Sequence, residues 1–220
     1  NLADLLEDIE KINGSDNLSE FEALTCAYLK YCEQHKDNVT FIEAGLFHRM
    51  DSTNVFKNNL CTLLGSLSID HLSWLDNKTI DGIIHEKTAK LLTSKIFVNK
   101  QENKETTLKI KDALKGNKSE KYFYGDDFNC LTAENNFIQY EDAKGSIILP
   151  EPNILGQHQL ANISTAIMAA RNIFNIKDEH IKKAVKQTDL KRRLQEIKVG
   201  KLKTIAQNNH LVCDGGHKFG

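Results

Sequence analysis

The absences in this chain narrow its possible roles before any motif is considered. It has no excess of one charge: 29 Lys and Arg stand against 30 Asp and Glu, a formal net charge of −1 with a sequence pI near 6.8. No long-range field therefore draws it to nucleic acid or to an anionic membrane, although local lysine clusters could still bind phosphate. It lacks any run approaching the roughly 20 apolar residues of a spanning helix. Its acidic amino end, Asn-Leu-Ala-Asp-Leu-Leu-Glu-Asp, is unlike the basic start of a signal peptide. It lacks paired cysteines as well: Cys26, Cys32, Cys61, Cys130 and Cys213 show no metal-ligand spacing, and an odd number leaves no complete disulfide framework. A reducing, cytoplasmic compartment is expected, with Cys26, Cys32 and Cys213 as core residues. Internal repeats and low-complexity tracts are missing too. The first residue is not Met, so the chain is expected to begin within a longer polypeptide.

The 220 residues, 40% hydrophobic and 27% charged, are ample for one core and a piece of a second domain. Leu2, Leu5, Leu6, Ile9 and Ile12 fall at helical spacing, and a second amphipathic stretch runs from about Leu18 to Gln34, so two helices precede the first strand. That strand is expected over Val39 to Glu43, with others at Leu60 to Leu67 and Lys95 to Val98 separated by a helix from Ile80 to Leu92. Strands alternating with helices predict an α/β fold with a parallel, doubly wound sheet. A Lys-rich helix from Gln101 to about Lys121 precedes short strand-like pieces between Phe123 and Leu149, which predict a small antiparallel section. Past Pro150 and Pro152 come helices at about Gln157 to Asn172 and Asp178 to Gln187, then a hairpin across Val199-Gly200-Lys201 and a strand ending at Asp214-Gly215-Gly216. A boundary between Lys186 and Arg193 would divide a central domain, residues 1–190, from the start of a second α/β domain at 191–220. A Gly-rich turn after an apolar strand normally leads into a further helix, so more chain is expected to follow.

The chemistry concentrates in residues 41–55, where a lone acid ends an apolar run and a dense polar turn follows. A buried strand needs no carboxylate, so Glu43 is expected as a ligand-binding group at the carboxyl edge of the sheet, where open α/β folds bind substrates. A second cluster, Ser68-Ile69-Asp70-His71, ends the next strand, and Glu86-Lys87 lies on the helix beyond. Singly, each has a blander explanation. Glu43 could be an edge carboxylate facing water, His71 a helix cap, Lys87 a solvated helix residue, Asn162 part of a polar helical face, and Phe21 an ordinary core residue. Their joint order along one chain is what chance does not supply.

Residues 43–54 resemble the E-V-G-L-G-G-R-L-D-A-T-N signature of the folylpolyglutamate and dihydrofolate synthases. Asp70-His71-Leu72-Ser73-Trp74-Leu75 and His85-Glu86-Lys87-Thr88-Ala89 are similar to that family's D-H-x-x-x-L turn and R-E-K-A-G helix. Leu155-Gly156-Gln157-His158-Gln159 with Asn162 resembles L-x-G-x-H-Q-x-x-N, Arg193-Leu194-Gln195 resembles R-L-Q, and Asp214-Gly215-Gly216-His217 resembles D-G-A-H. The resemblance implies a Mur-ligase-like fold and ATP-dependent ligation of L-glutamate to dihydropteroate or a folate through an acyl phosphate. It implies Mg²⁺ as cofactor, held by Glu43 and His71, with a carbamoylated Lys87 beside them in catalysis. It further implies ATP contacts from Asn162, Arg193 and Asp214, and pterin-side contacts from Ser19, Phe21, Glu22, Met50, Asp51 and Ser52. The partners implied are these small molecules, with no nucleic acid and no membrane, and relatives imply a monomer.

Several positions depart from the family pattern. Phe47-His48 replaces Gly-Gly, so a backbone angle needing positive φ would be lost or rebuilt there. Glu20 replaces an aromatic residue, Leu190-Lys191-Arg192 stands where Trp-Pro-Gly is usual, and Lys218 replaces an Asn. The family's G-T-N-G-K-G-S phosphate loop has no counterpart, because every glycine near the amino end is isolated. Successive backbone N–H groups and one Lys supply much of phosphate binding, so this segment alone is expected not to turn over ATP. Two alternatives stand beside the synthase reading: a truncated or non-catalytic remnant of the family, and another Mur-type amide ligase. The R-M-D-S-T-N turn with its upstream F-E-A-L-T argues against the latter.

Overall fold

The computed structural model describes residues 1–132, 137–154, 156–190, 195–213 and 215. The chain divides into two compact units. Asn1–Asn59, Leu67–Leu92 and Glu105–Asn117 form the first; Leu60–Ser66, Thr93–Lys104 and Lys118–Gly220 form the second.

The first unit opens with α1 (Leu2–Asn13) and α2 (Glu20–Glu33), which pack on one another. Each begins with a capping box, Asn1 with Asp4 and Ser19 with Glu22, satisfying amide donors that a helix start leaves orphaned. The pair buries little: α1 has no buried residue and α2 only Ala27. Next comes α3 (Ile80–Thr88), preceded by a short 3₁₀ turn at Leu72–Trp74, and then α4 (Lys104–Ala113). Leu67, Leu75, Ile83, Ile84, Leu91, Ile110 and Leu114 are buried apolar residues of these later segments.

Residues 39–43, expected as a strand, form neither strand nor helix. Val39, Phe41 and Ile42 are 44%, 80% and 37% exposed, and no strand among the described residues pairs with them. A strand needs a neighbour to take its backbone groups, so an apolar run alone does not make one. Glu43 therefore sits on an irregular, exposed segment instead of a sheet edge.

In the second unit, β1 (Thr62–Leu64), β2 (Lys95–Val98) and β3 (Glu120–Phe123) form a parallel sheet in that order. A second sheet is antiparallel: β4 (Phe128–Thr132), β5 (Phe137–Asp142) and β6 (Gly145–Pro150). The β5–β6 turn closes at Gly145, whose φ of 109° a side chain would rarely adopt. Helix α5 (Gln157–Ile173) lies against β4, β2 and β1, and α6 (Asp178–Gln187) against β6. Phe97, Phe128, Tyr140, Leu149, Ile167 and Met168 lie at the centre of one continuous core. Inside it, Tyr140 donates to Asp142 Oδ2 at 2.8 Å, and Arg171 meets Asp142 Oδ1 at 3.2 Å. Burial, reinforced by Asp142, pushes the Tyr140 phenol far up from its ordinary range.

This is the expected α/β class, with a parallel and a small antiparallel sheet, but several boundaries move: the strand expected over Leu60 to Leu67 is only Thr62–Leu64, and the helix expected to reach Leu92 ends at Thr88. Helix α4 ends at Ala113 and β3 already begins at Glu120, because Gly116 and Asn117 break the Lys-rich run. The hairpin expected across Val199-Gly200-Lys201 is corrected: β7 (Gln195–Glu196) and β8 (Val212–Cys213) do pair antiparallel, but α7 (Lys201–Ala206) lies between them. Cys26 is exposed, Cys32 and Cys213 are half-buried, and Cys130 is the buried cysteine; all five are free thiols. Among the described residues no helix is long and apolar enough to cross a membrane.

Candidate active site

In the first unit the polar turn that follows Glu43 is built around Asp51. Its Oδ2 accepts the Leu46 amide at 2.7 Å, and its Oδ1 accepts the Thr53 amide and hydroxyl at 2.9 and 2.6 Å. Burial alone would raise the Asp51 pKa, but these hydrogen bonds outweigh it and hold the carboxyl below its ordinary range. Arg49 ties the turn to α3: its amide donates to the Glu86 carbonyl at 2.9 Å, and its guanidinium grips the Glu86 carboxylate at 2.9 to 3.0 Å. Such a two-pronged pair fixes orientation as well as charge. Thr25 Oγ1 and Ser52 Oγ, 3.2 Å apart, connect the turn to α2. Phe21 lies so close to Gly45 that a Cβ there would come within 2.5 Å of its ring, so only glycine allows this approach.

Phe47 stands where the resemblance expects glycine, and it retains a left-handed backbone with φ 55°. The positive angle is thus kept without the residue that makes it easy.

A cleft of about 650 Å³ opens here, and Ser19, Phe21, Glu22, Met50, Asp51 and Ser52 all line it. All six pterin-side candidates, from two separate stretches of chain, are therefore brought together. Ser19 and Glu22 are also bonded to each other, Oγ to Oε2 at 2.7 Å, which lowers the Glu22 pKa. Asp51 is committed to its own turn, so the groups with apolar surface to offer are Phe21 and Met50, 44% and 74% exposed. Sequence reasoning missed two features of this cleft. Trp74, 73% exposed, lies on its wall, and the Arg49–Glu86 pair borders it. Both partners of that pair stand inside recognised motifs, which was the available signal.

The proposed metal and lysine residues are placed less compactly. Glu43 is exposed, and its carboxylate has no partner among the described residues. His71, in a left-handed conformation with φ 53°, pairs through Nε2 with Asp70 Oδ2 at 3.1 Å and meets the Phe47 ring edge-on at 6.3 Å between centroids. Lys87 is half-buried near the end of α3, and its charge reaches His48. Among the described residues no group of three or more His, Cys, Asp and Glu could hold a metal ion. Glu43 and His71, both exposed, do not by themselves make a cage for a hard cation.

Asn162, the nucleotide-side candidate in the second unit, belongs to a string of amides beyond the carboxyl end of β2. Asn99 Nδ2 donates to Asn162 Oδ1 at 2.6 Å, Asn162 Nδ2 donates to Gln159 Oε1 at 3.0 Å, and Gln159 Nε2 lies 2.9 Å from His158 Nε2. Asn99 Oδ1 in turn accepts the Lys100 amide and the Thr165 hydroxyl. Arg193 and Asp214, with Leu155, Leu194, Gly216 and His217 of the same motifs, lie outside the described residues.

This arrangement is a Mur-ligase-like α/β fold. The chain resembles a folylpolyglutamate synthase in complex with AMPPCP and folate, with TM-score 0.80 and 22% identity, covering 96% of this chain and 52% of that one. It also resembles E. coli FolC in complex with DHPP and ADP, with TM-score 0.79 and 22% identity, covering 97% of this chain and 48% of that one. In sequence it is 29% identical over 219 residues to the dihydrofolate synthase/folylpolyglutamate synthase of Bacillus subtilis, covering 90% of this chain and 46% of that protein. The likeness read from the motifs therefore holds: the chain is similar in sequence and in fold to folylpolyglutamate and dihydrofolate synthases. It spans about half the length of the curated relatives it matches. No protein-family model matches it.

Proposed function

We propose that the protein carrying this chain joins the amine of L-glutamate to a carboxylate on dihydropteroate or a folate, with ATP as the activating substrate. One observation supports this above the rest: six residues matched to the family's pterin side, drawn from Ser19–Glu22 and Met50–Ser52, line a single cleft of about 650 Å³. A space of that size suits a small organic ligand.

A carboxylate is a poor electrophile because its leaving group would be oxide. Transfer of the γ-phosphoryl group of ATP to a carboxylate oxygen breaks the bond to ADP and forms an acyl phosphate. The amine lone pair of glutamate then attacks the acyl carbon, the C–N bond forms, phosphate leaves, and the amine proton passes to solvent. Mg²⁺, when bound, would neutralise and orient the anions that this step crowds together. Glu43 and His71 are assigned one donor each to it. Lys87 is assigned a carbamoyl group, because a plain ammonium at that place would repel the cation. Phe21 and Met50 offer apolar surface to a ring system, and Asp51 keeps the turn in shape. Asn162, Arg193 and Asp214 are assigned to the nucleotide, with Arg193 as the charge clamp on phosphate. Residues 1–190 and 191–220 are read as parts of two successive domains of a cytoplasmic monomer. No Gly-rich phosphate loop occurs in these 220 residues, so turnover is assigned to the longer polypeptide.

The test is glutamate-dependent ADP release by the full-length parent protein, with dihydropteroate and with tetrahydrofolate supplied in turn. Release with either establishes the ligase and names its acceptor. A folded, silent protein would make the chain a remnant of the family.

A further inference from the structure

Two residues on the wall of the cleft hold none of the roles assigned so far: Trp74 and Asp76. They flank Leu75, which is buried, and the segment is pinned on both sides. The Trp74 amide donates to the His71 carbonyl at 3.0 Å, and the Leu75 amide donates to the Leu72 carbonyl at 3.1 Å. Beyond Asp76, the Asn77 carbonyl accepts the Thr79 amide at 2.9 Å and lies so close to Gly82 of α3 that a Cβ there would come within 1.9 Å of it. A fixed stretch thus offers an indole and a carboxylate to one cleft.

Trp74 is the one tryptophan of the 220 residues, and it is 73% exposed. Leaving so large an apolar surface in water is unfavourable, and on the wall of a concave site that surface is a face for a flat ring. Asp76 supplies a second contact. Of the carboxylates on the same wall, Glu22 is bonded to Ser19, Asp51 to Leu46 and Thr53, and Glu86 to Arg49. The Asp76 carboxylate makes no hydrogen bond among the described residues, although its charge reaches Arg49. These four acids have only Arg49 and His85 as basic groups beside them among the described residues of the wall. That balance disfavours the anionic end of an acceptor and favours a neutral ring bearing N–H donors.

We propose that Trp74 and Asp76 recognise the pterin of the acceptor, the indole face stacking on the bicyclic ring while the Asp76 carboxylate accepts its exocyclic amino group and the adjacent ring N–H; this rests on the ligase reading above. Two parallel N–H bonds to one carboxylate fix the ring in register. A plain aromatic ring would satisfy Trp74 and leave Asp76 unmet.

The experiment first finds which acceptor, dihydropteroate or tetrahydrofolate, supports ADP release by the full-length protein. That acceptor and its analogue lacking the exocyclic amino group are then titrated by calorimetry, with a non-hydrolysable ATP analogue present. The wild type should bind the acceptor roughly ten-fold or more tighter than the desamino analogue, and Asp76→Ala should bind the two about equally. Trp74→Ala should weaken both by roughly ten-fold, and Trp74→Phe, which keeps a ring face, should recover most of the loss. Wild-type affinity in Trp74→Ala, or undiminished preference for the amino group in Asp76→Ala, overturns the proposal while the ligase reading stands. Equal binding of acceptor and analogue by the wild type overturns it as well, without any variant having to fold. If neither acceptor supports ADP release, the ligase reading fails and the proposal fails with it.

Discussion

In the second unit, two sheets and α5 enclose side chains such as Phe97, Tyr140 and Leu149, all at 0% exposure; in the first, α1 buries nothing and the polar turn is held by the carboxylates of Asp51 and Glu86. One part of the chain is shaped by packing and the other by directed hydrogen bonds. Packing resists change across a whole region, because its energy is spread over many contacts. Directed bonds place a few atoms accurately at little cost in burial, and they leave a cleft open. The candidate cleft lies where the second strategy operates.

The sharpest way to break this comparison is Arg171→Ala, which would leave the Asp142 carboxylate, 1% exposed, without its ionic partner. A loss of about 3–5 kcal/mol is expected in urea unfolding; a loss below about 1 kcal/mol would remove the contrast between the units. Next comes replacement of Glu43 or His71 by Ala in the full-length protein. Ligation should fall about 100- to 1000-fold while the unfolding midpoint stays near the wild type, and near-normal ligation would dismiss both as metal ligands. A paired glycine test follows. In Gly82→Ala the new Cβ would fall 1.9 Å from the Asn77 carbonyl oxygen, a backbone atom that cannot step aside, and about 1–3 kcal/mol should be lost. In Gly45→Ala the nearest atoms belong to the half-exposed Phe21 ring, which can swing away. That variant should melt within about 1 kcal/mol of wild type but show a raised KM for the pterin or folate acceptor. The smallest effect concerns pH. Because the folded pKa of Asp51 is depressed, its stabilising bonds are fully present above the ordinary carboxyl range of about 3.9 and are lost as pH falls further, through the folded value. Hydrogen exchange at the Leu46 and Thr53 amides should lose its protection in that acid window, and Asp51→Asn should weaken it at neutral pH.

Much of this was legible in the sequence where the cause is local. Helices α1, α2, α5 and α6 announce themselves through apolar spacing and end signals, and β2 was read residue for residue. The segment 39–43 misled because an apolar run looks the same whether or not a partner strand exists. Gly200 misled because it was taken for a hairpin turn, although Leu202 and Ile205 already stand at helical spacing. The cleft residues were legible only through likeness to a family. Arg49 and Glu86, 37 positions apart, meet for reasons that no local pattern carries. The unmet carboxylate of Asp76 is likewise a property of the surroundings and not of the residue.

The string of amides at the start of α5 has one further consequence. Gln159 Nε2 can only donate, so the His158 Nε2 that it meets must accept, and the proton of the neutral ring must sit on Nδ1. From Asn99 through Asn162 and Gln159, every donor points the same way along the string. The far end of the string cannot turn over, because Asn99 Oδ1 also accepts the Lys100 amide and the Thr165 hydroxyl, and a flipped amide would set its NH2 against that backbone N–H. The tautomer of His158 is thus set by a backbone amide at the opposite end of the string.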